Sequence, residues 1–281
     1  MNALEIQNVT KHYEDFSLGP INIMLPAGCI MGFIGENGAG KTTTIKLILD
    51  LIRRDSGKIT ILGKSLDEKN VALKEQIGVV MDDSSFPENL TAQNINTILK
   101  SCYKTWDSAK FEQFCAKFEL PDKKRVHDYS RGMKMKLSIA VALSHGSRLL
   151  ILDEATSGLD PIVRDEILDL FLEFIQDERN SIFLSSHIIS DLEKICDYIT
   201  FIHRGKILIS DEKDMLLNKY VVAKLTNEQY GLLDPEIVIG ARSNSFGVEA
   251  LMCKDHVPRN IISDPATLED IMLYSVKERL V

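Results

Sequence analysis

The sequence predicts an α/β fold in which a mostly parallel sheet is covered by helices on both faces. The chain has 281 residues, which is enough for one large unit with a small appendage. Apolar, β-rich runs that end in Gly, Asp or Ser alternate with helical patterns, and near-continuous apolar strands are typical of buried parallel sheets. These runs occupy residues 30–34, 77–81, 149–152, 181–184 and 198–202.

The composition is that of an ordinary globular protein. Apolar residues make up 44% and charged residues 26%, which excludes disordered, collagen-like and small disulfide-rich classes. A net charge of −8 disfavours a broad surface that wraps nucleic acid, so we expect no nucleic-acid partner. The five cysteines are odd in number and form no CxxC pair, so neither a disulfide framework nor a zinc site is suggested.

The amino terminus and the apolar runs bear on where the protein resides. Residues 1–6 lack the basic and apolar regions of a secretory signal. The longest apolar runs, such as residues 149–152, are far shorter than the ~20 residues that cross a bilayer. We therefore expect a cytoplasmic protein, and any membrane span would come from a partner.

One region interrupts the alternation of strands and helices within the first two thirds of the chain. From about residue 84 to residue 144 the pattern is helical. Apolar side chains recur there at a spacing that places them on one helix face, which predicts a small helical subdomain that packs on itself. The side chains of this stripe are Phe111, Phe114, Cys115 and Phe118.

The pattern changes again after residue 218. We therefore divide the chain into a main domain, residues 1–218, and a small C-terminal α+β appendage, residues 219–281. The elements predicted for the appendage are strands over 220–225 and 237–239 and a closing helix over 266–280, directly after Asp264 and Pro265.

A glycine-rich loop joins the strand that ends at Ile34 to a helical pattern that continues from Thr44. Its sequence, GENGAGKTT, fits the GxxxxGK[ST] pattern that binds nucleoside triphosphates between a strand and a helix. Successive N–H groups can point at phosphate oxygens, and the helix N-terminus adds a favourable dipole. Lys41 would reach the β- and γ-phosphates, and Thr42 would ligate Mg²⁺. The loop residues expected to hold the nucleotide are Gly35, Glu36, Asn37, Gly38, Ala39, Gly40, Lys41, Thr42 and Thr43.

Two adjacent carboxylates follow the apolar run 149–152. Asp153 lies at the end of that predicted strand, where it can hold Mg²⁺ directly or through water. Glu154 points elsewhere and is the candidate general base that polarises the attacking water. The alternative, a capping Asp-Glu pair at a strand-to-helix turn, fits poorly about 120 residues after a phosphate-binding loop.

Two further polar positions follow along the chain. Asp160 and Pro161 have the residue types of a helix N-cap and first helical position, so a helix begins there. His187 follows the run 181–184 at the sheet edge where ligands bind in open α/β folds, which favours a γ-phosphate contact over a purely structural histidine.

With these residues in order, the chain resembles the nucleotide-binding subunit of an ATP-binding cassette (ABC) transporter over roughly residues 4–209. The resemblance implies a P-loop NTPase fold with a RecA-like core, a helical subdomain and a small C-terminal α+β appendage. It also implies that Tyr13 stacks on adenine and that Glu154 is the catalytic carboxylate. In the same way, residues 157–160 match the D-loop, which includes Asp160, and His187 matches the switch histidine.

Two motifs depart from the family pattern. The signature, normally LSGGQ, corresponds to Tyr129-Ser130-Arg131-Gly132-Met133, in which Ser130 and Gly132 are retained. The helix that follows could present its N-terminus to a γ-phosphate across a dimer interface. The Q-loop position holds Asp82 where the family has Gln, and the resemblance places this residue near the Mg²⁺-bound water and the permease.

The resemblance implies an ATPase with the cofactors ATP and Mg²⁺ that closes as a head-to-tail pair, with one nucleotide between the Walker A loop of one subunit and the signature of the other. The partner is a second copy or a related chain. Closure and reopening would drive a separate membrane permease, so the ATPase would lie on the inner face of the cell membrane. The motif variants are similar to those of bacterial exporters of peptides or antibiotics.

Other functions remain open at this point. A soluble ABC ATPase that acts on ribosomes or DNA usually has two cassettes or a long coiled-coil insertion, and neither is visible. A nucleotide-binding regulatory module with little turnover is suggested by Arg131 and Asp82, whereas Glu154 and His187 argue against it. A GTPase is disfavoured because the sequence NKYV at 218–221 lacks the Asp of the guanine-reading NKxD pattern.

Overall fold

The computed structural model describes residues 1–66, 71–81 and 86–276. Its strands are β1 (Asn2–His12), β2 (Ser17–Pro26), β3 (Ile30–Ile34), β4 (Ser56–Ile61), β5 (Lys64–Ser65), β6 (Ile77–Val80), β7 (Leu149–Asp153), β8 (Ser181–Ser185), β9 (Tyr198–His203), β10 (Lys206–Glu212), β11 (Tyr220–Leu225), β12 (Val238–Asn244), β13 (Gly247–Cys253) and β14 (Ile262–Pro265). Its α-helices are α1 (Lys41–Ile48), α2 (Val71–Lys74), α3 (Ala92–Cys102), α4 (Ser108–Lys117), α5 (Arg131–Leu143), α6 (Pro161–Phe174), α7 (Ile189–Ile195), α8 (Lys213–Lys219), α9 (Asn227–Gly231) and α10 (Leu268–Ser275).

A mostly parallel sheet with the strand order β10-β9-β3-β8-β7-β6 forms the centre of the molecule. Every predicted apolar run is one of its strands, and only the β9–β10 pair among the described strands of this sheet is antiparallel. Alternate residues of β3 pack into two different hydrophobic clusters, so β3 is buried on both faces. The predicted α/β class is therefore confirmed.

The carboxyl ends of three central strands meet at one edge of this sheet. The loop of residues 35–40 leaves β3, Asp153 ends β7, and Ser185 ends β8. Ligands bind at this edge in open α/β sheets. The topology alone thus brings the phosphate-binding pattern and the predicted carboxylates together.

An antiparallel sheet at the amino terminus, with the order β2-β1-β4-β5, was not predicted from the apolar runs. Leu4, Ile6 and Leu18 of this sheet pack in one cluster with Phe33 of the central sheet. The β1–β2 turn closes when the N–H of Tyr13 donates to the carbonyl of Phe16 (2.8 Å). This sheet therefore places Phe16 beside Gly40 of the glycine-rich loop.

The predicted helical region is confirmed for its described part, where α3, α4 and α5 lie. Phe111, Cys115 and Phe118 are buried, whereas Phe114 is partly exposed. α5 packs on β6, which joins these helices to the central sheet. No helix within residues 1–66, 71–81 and 86–276 is long and apolar enough to cross a membrane.

The C-terminal segment contains a sheet with the order β12-β13-β11-β14 and the helix α10. The predicted start of the closing helix at Ala266 is wrong, because Thr267 caps the helix by accepting from the N–H of Asp270 (3.1 Å). Asp264 and Pro265 belong to β14, and residues 277–280 of the predicted helix lie outside the described part. The predicted strand 237–239 begins one residue later and continues to Asn244.

This segment has a hydrophobic cluster of its own, which includes Leu225, Val248 and Met252. In contrast, α10 contributes buried side chains to the large cluster of the central sheet. The division at residue 218 stays a prediction.

Candidate functional site

The loop of residues 35–43 borders a cavity of about 370 Å³ at the carboxyl edge of the central sheet. Gly40 has a φ of 114°, which favours glycine. A Cβ on Gly35 would lie 2.5 Å from the carbonyl oxygen of Ile202, so only glycine fits this close approach. The cavity is lined by loop residues, one aromatic ring and both predicted carboxylates: Phe16, Glu36, Asn37, Gly38, Gly40, Lys41, Thr42, Thr43, Asp153 and Glu154.

Lys41 begins α1 and is almost completely buried, with 7% of its surface exposed. Its Nζ donates to the carbonyl oxygens of Gly35 (2.7 Å) and Glu36 (3.3 Å). The same atom lies 3.8 Å from Oε1 of Glu154. A positive charge is thus held in the cavity by the backbone of its own loop, where it can attract phosphate oxygens.

Asp153 accepts hydrogen bonds on both carboxylate oxygens. Thr42 Oγ1 donates to Oδ2 (3.2 Å), and Ser185 Oγ donates to Oδ1 (2.6 Å). The described residues contain no cluster of three or more His, Cys, Asp or Glu side chains that would hold a metal ion alone. The hydroxyl and carboxylate oxygens at this place do fit Mg²⁺, which is commonly bound by one or two carboxylates together with substrate phosphates.

Glu154 adopts a φ of 53°, a left-handed conformation that is uncommon for a residue other than glycine. Its partners differ from those of Asp153, because Glu154 lies beside Lys41 and His187. His187 Nδ1 donates to Oε2 of Glu154 (2.6 Å). The side chain of Glu154 is 15% exposed and that of His187 is 56% exposed, so the carboxylate is sheltered and the imidazole is open to solvent.

The two aromatic side chains of the β1–β2 turn differ in position. Tyr13 is half exposed, its ring lies 5.5 Å from Lys11 Nζ, and it does not line the cavity. Phe16 lines the cavity, and a Cβ on Gly40 would lie 3.1 Å from its Cζ. The contact of Tyr13 with adenine therefore stays a prediction, and Phe16 is a second candidate for the same surface.

The signature residues lie at the start of α5. Ser130 is the N-cap, and its Oγ accepts from the N–H of Met133 (3.2 Å). A Cβ on Gly132 would lie 3.4 Å from Leu159, and one on Gly158 would lie 3.4 Å from Arg131 Nη1, so the signature and the D-loop of the same chain are neighbours.

The predicted helix start at Asp160 is confirmed, because Asp160 Oδ1 accepts from the N–H of Val163 (3.1 Å) and Pro161 is the first helical residue. Among the described residues that line the phosphate-loop cavity there is neither a signature residue nor Asp160. The structure therefore brings Lys41, Thr42, Asp153, Glu154 and His187 together. The signature residues and Asp160 lie outside this cavity. Asp82 lies outside the described residues.

Three contacts of the site were not predicted from the sequence. Phe16 reaches the cavity through the β1–β2 turn, and Ser185 orients Asp153. His203 at the end of β9 pairs with the loop residue Glu36, with Nδ1 and Oε1 2.9 Å apart. Ser185 and His203 both end strands of the central sheet, which is the pattern that could have identified them.

Known proteins are similar to this chain in sequence and in fold. Residues 18–157 match the family described as ABC transporter. The chain is 38% identical over 209 residues to the bacitracin transport ATP-binding protein BcrA of Bacillus licheniformis, covering 73% of this chain and 68% of that one. It is 35% identical over 214 residues to the lantibiotic transport ATP-binding protein SrtF of Streptococcus pyogenes, covering 75% and 91%.

A solved structure described as an ATP binding subunit of an ABC transporter superposes with a TM-score of 0.68. It is 27% identical, and the match covers 75% of this chain and 90% of that chain. The fold, the loop, the carboxylates and these relatives lead to one conclusion. The chain belongs to the ABC transporter family, as one of its ATP-binding proteins.

Proposed function

We propose that this ABC ATPase is the motor subunit of an exporter that moves a peptide, an antibiotic or another amphipathic cargo through a separate membrane permease. The observation that carries the proposal is the single cavity in which Lys41, Thr42, Asp153 and Glu154 meet. The cargo class is supported by the bacitracin and lantibiotic transport proteins to which the chain is similar.

The loop of residues 35–43 would hold the phosphates of ATP. Its N–H groups and the start of α1 attract negative charge, and Lys41 adds an ammonium that is already oriented by its own backbone. Phe16 and Tyr13 offer aromatic surfaces for the adenine ring. Binding is thus divided between a rigid phosphate site and a turn that supplies stacking.

Thr42 and Asp153 would hold Mg²⁺ together with phosphate oxygens. The bound ion supplies charge neutralisation on the phosphates during transfer. Ser185 keeps the Asp153 carboxylate in one orientation through its 2.6 Å hydrogen bond. The sequence pattern alone makes Asp82 a third candidate residue for holding Mg²⁺.

Glu154 would act as the general base. Its carboxylate takes a proton from the attacking water while the water oxygen bonds to the γ-phosphorus, and ADP leaves with the electron pair of the broken bond. His187 donates to the same carboxylate and keeps it in place. The exposed side of the imidazole could contact the γ-phosphate.

A second copy of the chain would complete each site. The cavity of the same chain is lined neither by Asp160, the N-cap of α6, nor by the signature residues Ser130, Arg131, Gly132 and Met133. These four signature residues form the start of α5, a helix start of the kind that binds anions. In a head-to-tail pair this helix start would face the γ-phosphate bound by the other copy.

The test combines membrane association with turnover. The tagged chain is isolated in detergent from membranes of its own host, and the co-isolated membrane protein is reconstituted with it in vesicles. We expect Mg²⁺- and ATP-dependent movement of a labelled cationic peptide antibiotic, and none with the Glu154→Gln variant. An ATPase that instead copurifies with ribosomes or nucleic acid and is stimulated by them would contradict the export function.

A further inference from the structure

We propose that the C-terminal helix α10 positions α7, the helix that begins two residues after His187, so that the C-terminal segment sets the rate of ATP hydrolysis. This inference rests on the proposed roles of Glu154 and His187. The positioning residues are Ile271 on α10 and Glu193 on α7.

The first observation is the packing of α10 on α7. Leu268 and Ile271 are 1% and 2% exposed, and they belong to the same hydrophobic cluster as Leu192 and Ile195 of α7. Buried side chains of this kind move only when their neighbours move, because protein interiors are close-packed. α10 therefore packs against α7 and restricts its movement.

The second observation is a polar link between the same two helices. The N–H of Leu268, in the first turn of α10, donates to Oε1 of Glu193 on α7 (3.4 Å). The first N–H groups of a helix lack partners within the helix, so this carboxylate satisfies one of them. A negative charge at the start of α10 is also favourable for its dipole. The contact thus fixes one end of α10 to α7.

The third observation is how His187 is held. Its ring is 56% exposed, so its position depends mainly on the hydrogen bond to Glu154 and on the backbone that enters α7 two residues later. The N–H of Ile188 donates to Ser186 Oγ (3.0 Å), which ties this entry to the end of β8. A shift of α7 would therefore be passed to the imidazole.

The fourth observation is a cavity of about 310 Å³ between α10 and the entry to α7. His187 and Ile189 line it together with Met272 and Leu273 of α10, and Gly35 and Glu36 of the phosphate loop border the same space. The imidazole thus borders open space of which α10 forms one side. Displacement of α10 would give His187 room to leave Glu154.

The end of the phosphate loop and α1 belong to a different cluster. Ala39, Ile45 and Leu47, in the loop and in α1, pack with the N-terminal sheet and not with α10. Loosening of α10 should therefore affect the carboxylate–histidine pair more than the binding of nucleotide by Lys41 and the start of α1. A misplacement of only ~1 Å in a catalytic group can lower a rate by ~100-fold.

The test compares Ile271→Ala with Leu232→Ala, a matched control in the same segment whose side chain is 87% exposed. We expect Ile271→Ala to lower kcat for ATP about tenfold, with KM within about twofold of the unchanged chain. Ile271→Val should recover most of the rate. Glu193→Ala, at an exposed position that is safe for folding, should lower kcat about threefold in the same way.

Amide hydrogen exchange provides a readout that does not depend on turnover. Exchange in residues 188–195 should rise in Ile271→Ala and Glu193→Ala, whereas exchange in residues 41–48 should not change. Unaltered kcat and unaltered exchange at α7 in folded Glu193→Ala and Ile271→Ala would overturn the inference. If the unchanged chain fails to hydrolyse ATP, the proposed function fails, and the exchange data still decide whether α10 holds α7.

Discussion

The phosphate loop and the signature both lead into the start of a helix, but the two helix starts are satisfied in different ways. The N-cap of α1 is Gly40, which has no side chain to accept from the first N–H groups. The N-cap of α5 is Ser130, whose hydroxyl accepts from the N–H of Met133. The first helix start thus leaves its donors for a ligand, whereas at the second start one donor, the N–H of Met133, is already satisfied by Ser130.

The surroundings of the two helix starts also differ, because only the first start borders the cavity with the carboxylates. Lys41 is buried under its loop and shares a cavity with Asp153 and Glu154. Ser130 and Arg131 adjoin the D-loop and do not line that cavity. The phosphate half is therefore preformed within one chain, and the signature half depends on a partner in the proposed dimer. Variants in the two halves should separate nucleotide binding from turnover.

The largest effect is expected at Glu154, which belongs to the phosphate half. Glu154→Gln should lower hydrolysis by ~10²–10⁴-fold, because the amide keeps the shape of the side chain and loses the base. ATP affinity should stay within about threefold, since Lys41 and the loop are untouched. Phosphate release and equilibrium ATP binding measure the two quantities. Ordinary turnover in this variant would refute the role of Glu154.

Removal of the Lys41 ammonium should have the next largest effect, in this case on ATP binding. Lys41→Ala is expected to weaken ATP binding by roughly 100-fold, because charged hydrogen bonds in a sheltered site contribute about 3 kcal/mol. Lys46→Ala, near the other end of the same helix, is the control for loss of a positive charge. Undiminished affinity in Lys41→Ala would contradict the phosphate-binding role of the loop.

The aromatic turn should contribute less than the loop. Phe16→Ala is expected to raise the dissociation constant for ATP about tenfold, since stacking on a base contributes ~1–3 kcal/mol. Tyr13→Ala is the comparison, and titration with a fluorescent ATP analogue measures both. If only Tyr13→Ala weakens binding, Phe16 merely fills the space beside Gly40.

A change in the signature half should separate turnover from binding. Ser130→Ala removes the cap of α5, which costs ~1 kcal/mol and should lower turnover about fivefold. ATP binding by the single chain should not change. The control is Asp107→Ala, which removes the comparable cap of α4, where Asp107 Oδ1 accepts from the N–H of Lys110 (2.9 Å). Equal losses of turnover in both variants would indicate a general loss of stability.

The smallest effect concerns the joint between the helical region and the central sheet. His145 is buried against Tyr103, with ring centroids 4.3 Å apart, and its Nδ1 donates to the carbonyl of Glu75 (3.1 Å). Burial lowers the pKa of His145 below its usual value. As the pH falls through about 6.5, the unfolded chain takes up a proton that the folded chain resists, so the free energy of unfolding decreases.

This loss should continue until the pH reaches the lowered folded-state pKa. Between about pH 7 and pH 5.5 we therefore expect the free energy of unfolding to decrease more in the unchanged chain than in a variant without this histidine. His145→Phe keeps an aromatic ring on Tyr103 and removes the titration. Urea unfolding at both pH values measures the difference. An equal pH dependence in the two proteins would show that His145 is not responsible.

The phosphate half of the site shows which residues could be predicted from the sequence and which could not. The phosphate loop consists of contiguous residues between β3 and α1, so the spacing of its residues was enough to predict it. The carboxylates Asp153 and Glu154 were predicted for the same reason, because they follow a buried strand. Phe16 was missed because its contact with Gly40 arises only when β1 and β2 fold over the loop. Half-buried antiparallel strands such as β1 show no continuous apolar run.

Local capping accounts for another difference between sequence and structure. Pro265 suggested a helix start, whereas the capping box of Thr267 and Asp270 begins α10 two residues after it. Propensity alone could not distinguish a proline that ends a strand from one that begins a helix. The packing of α10 on α7 was also outside the reach of the sequence, since it joins residues more than seventy positions apart.

The left-handed backbone at Glu154 has a consequence for protein engineering. Glycine tolerates a φ of 53° with less strain than glutamate, by roughly 1 kcal/mol. A selection for heat resistance alone would therefore favour replacing this carboxylate, and the most heat-resistant variants would accumulate without turnover. Stabilised libraries of this chain need a screen for phosphate release alongside the screen for melting temperature.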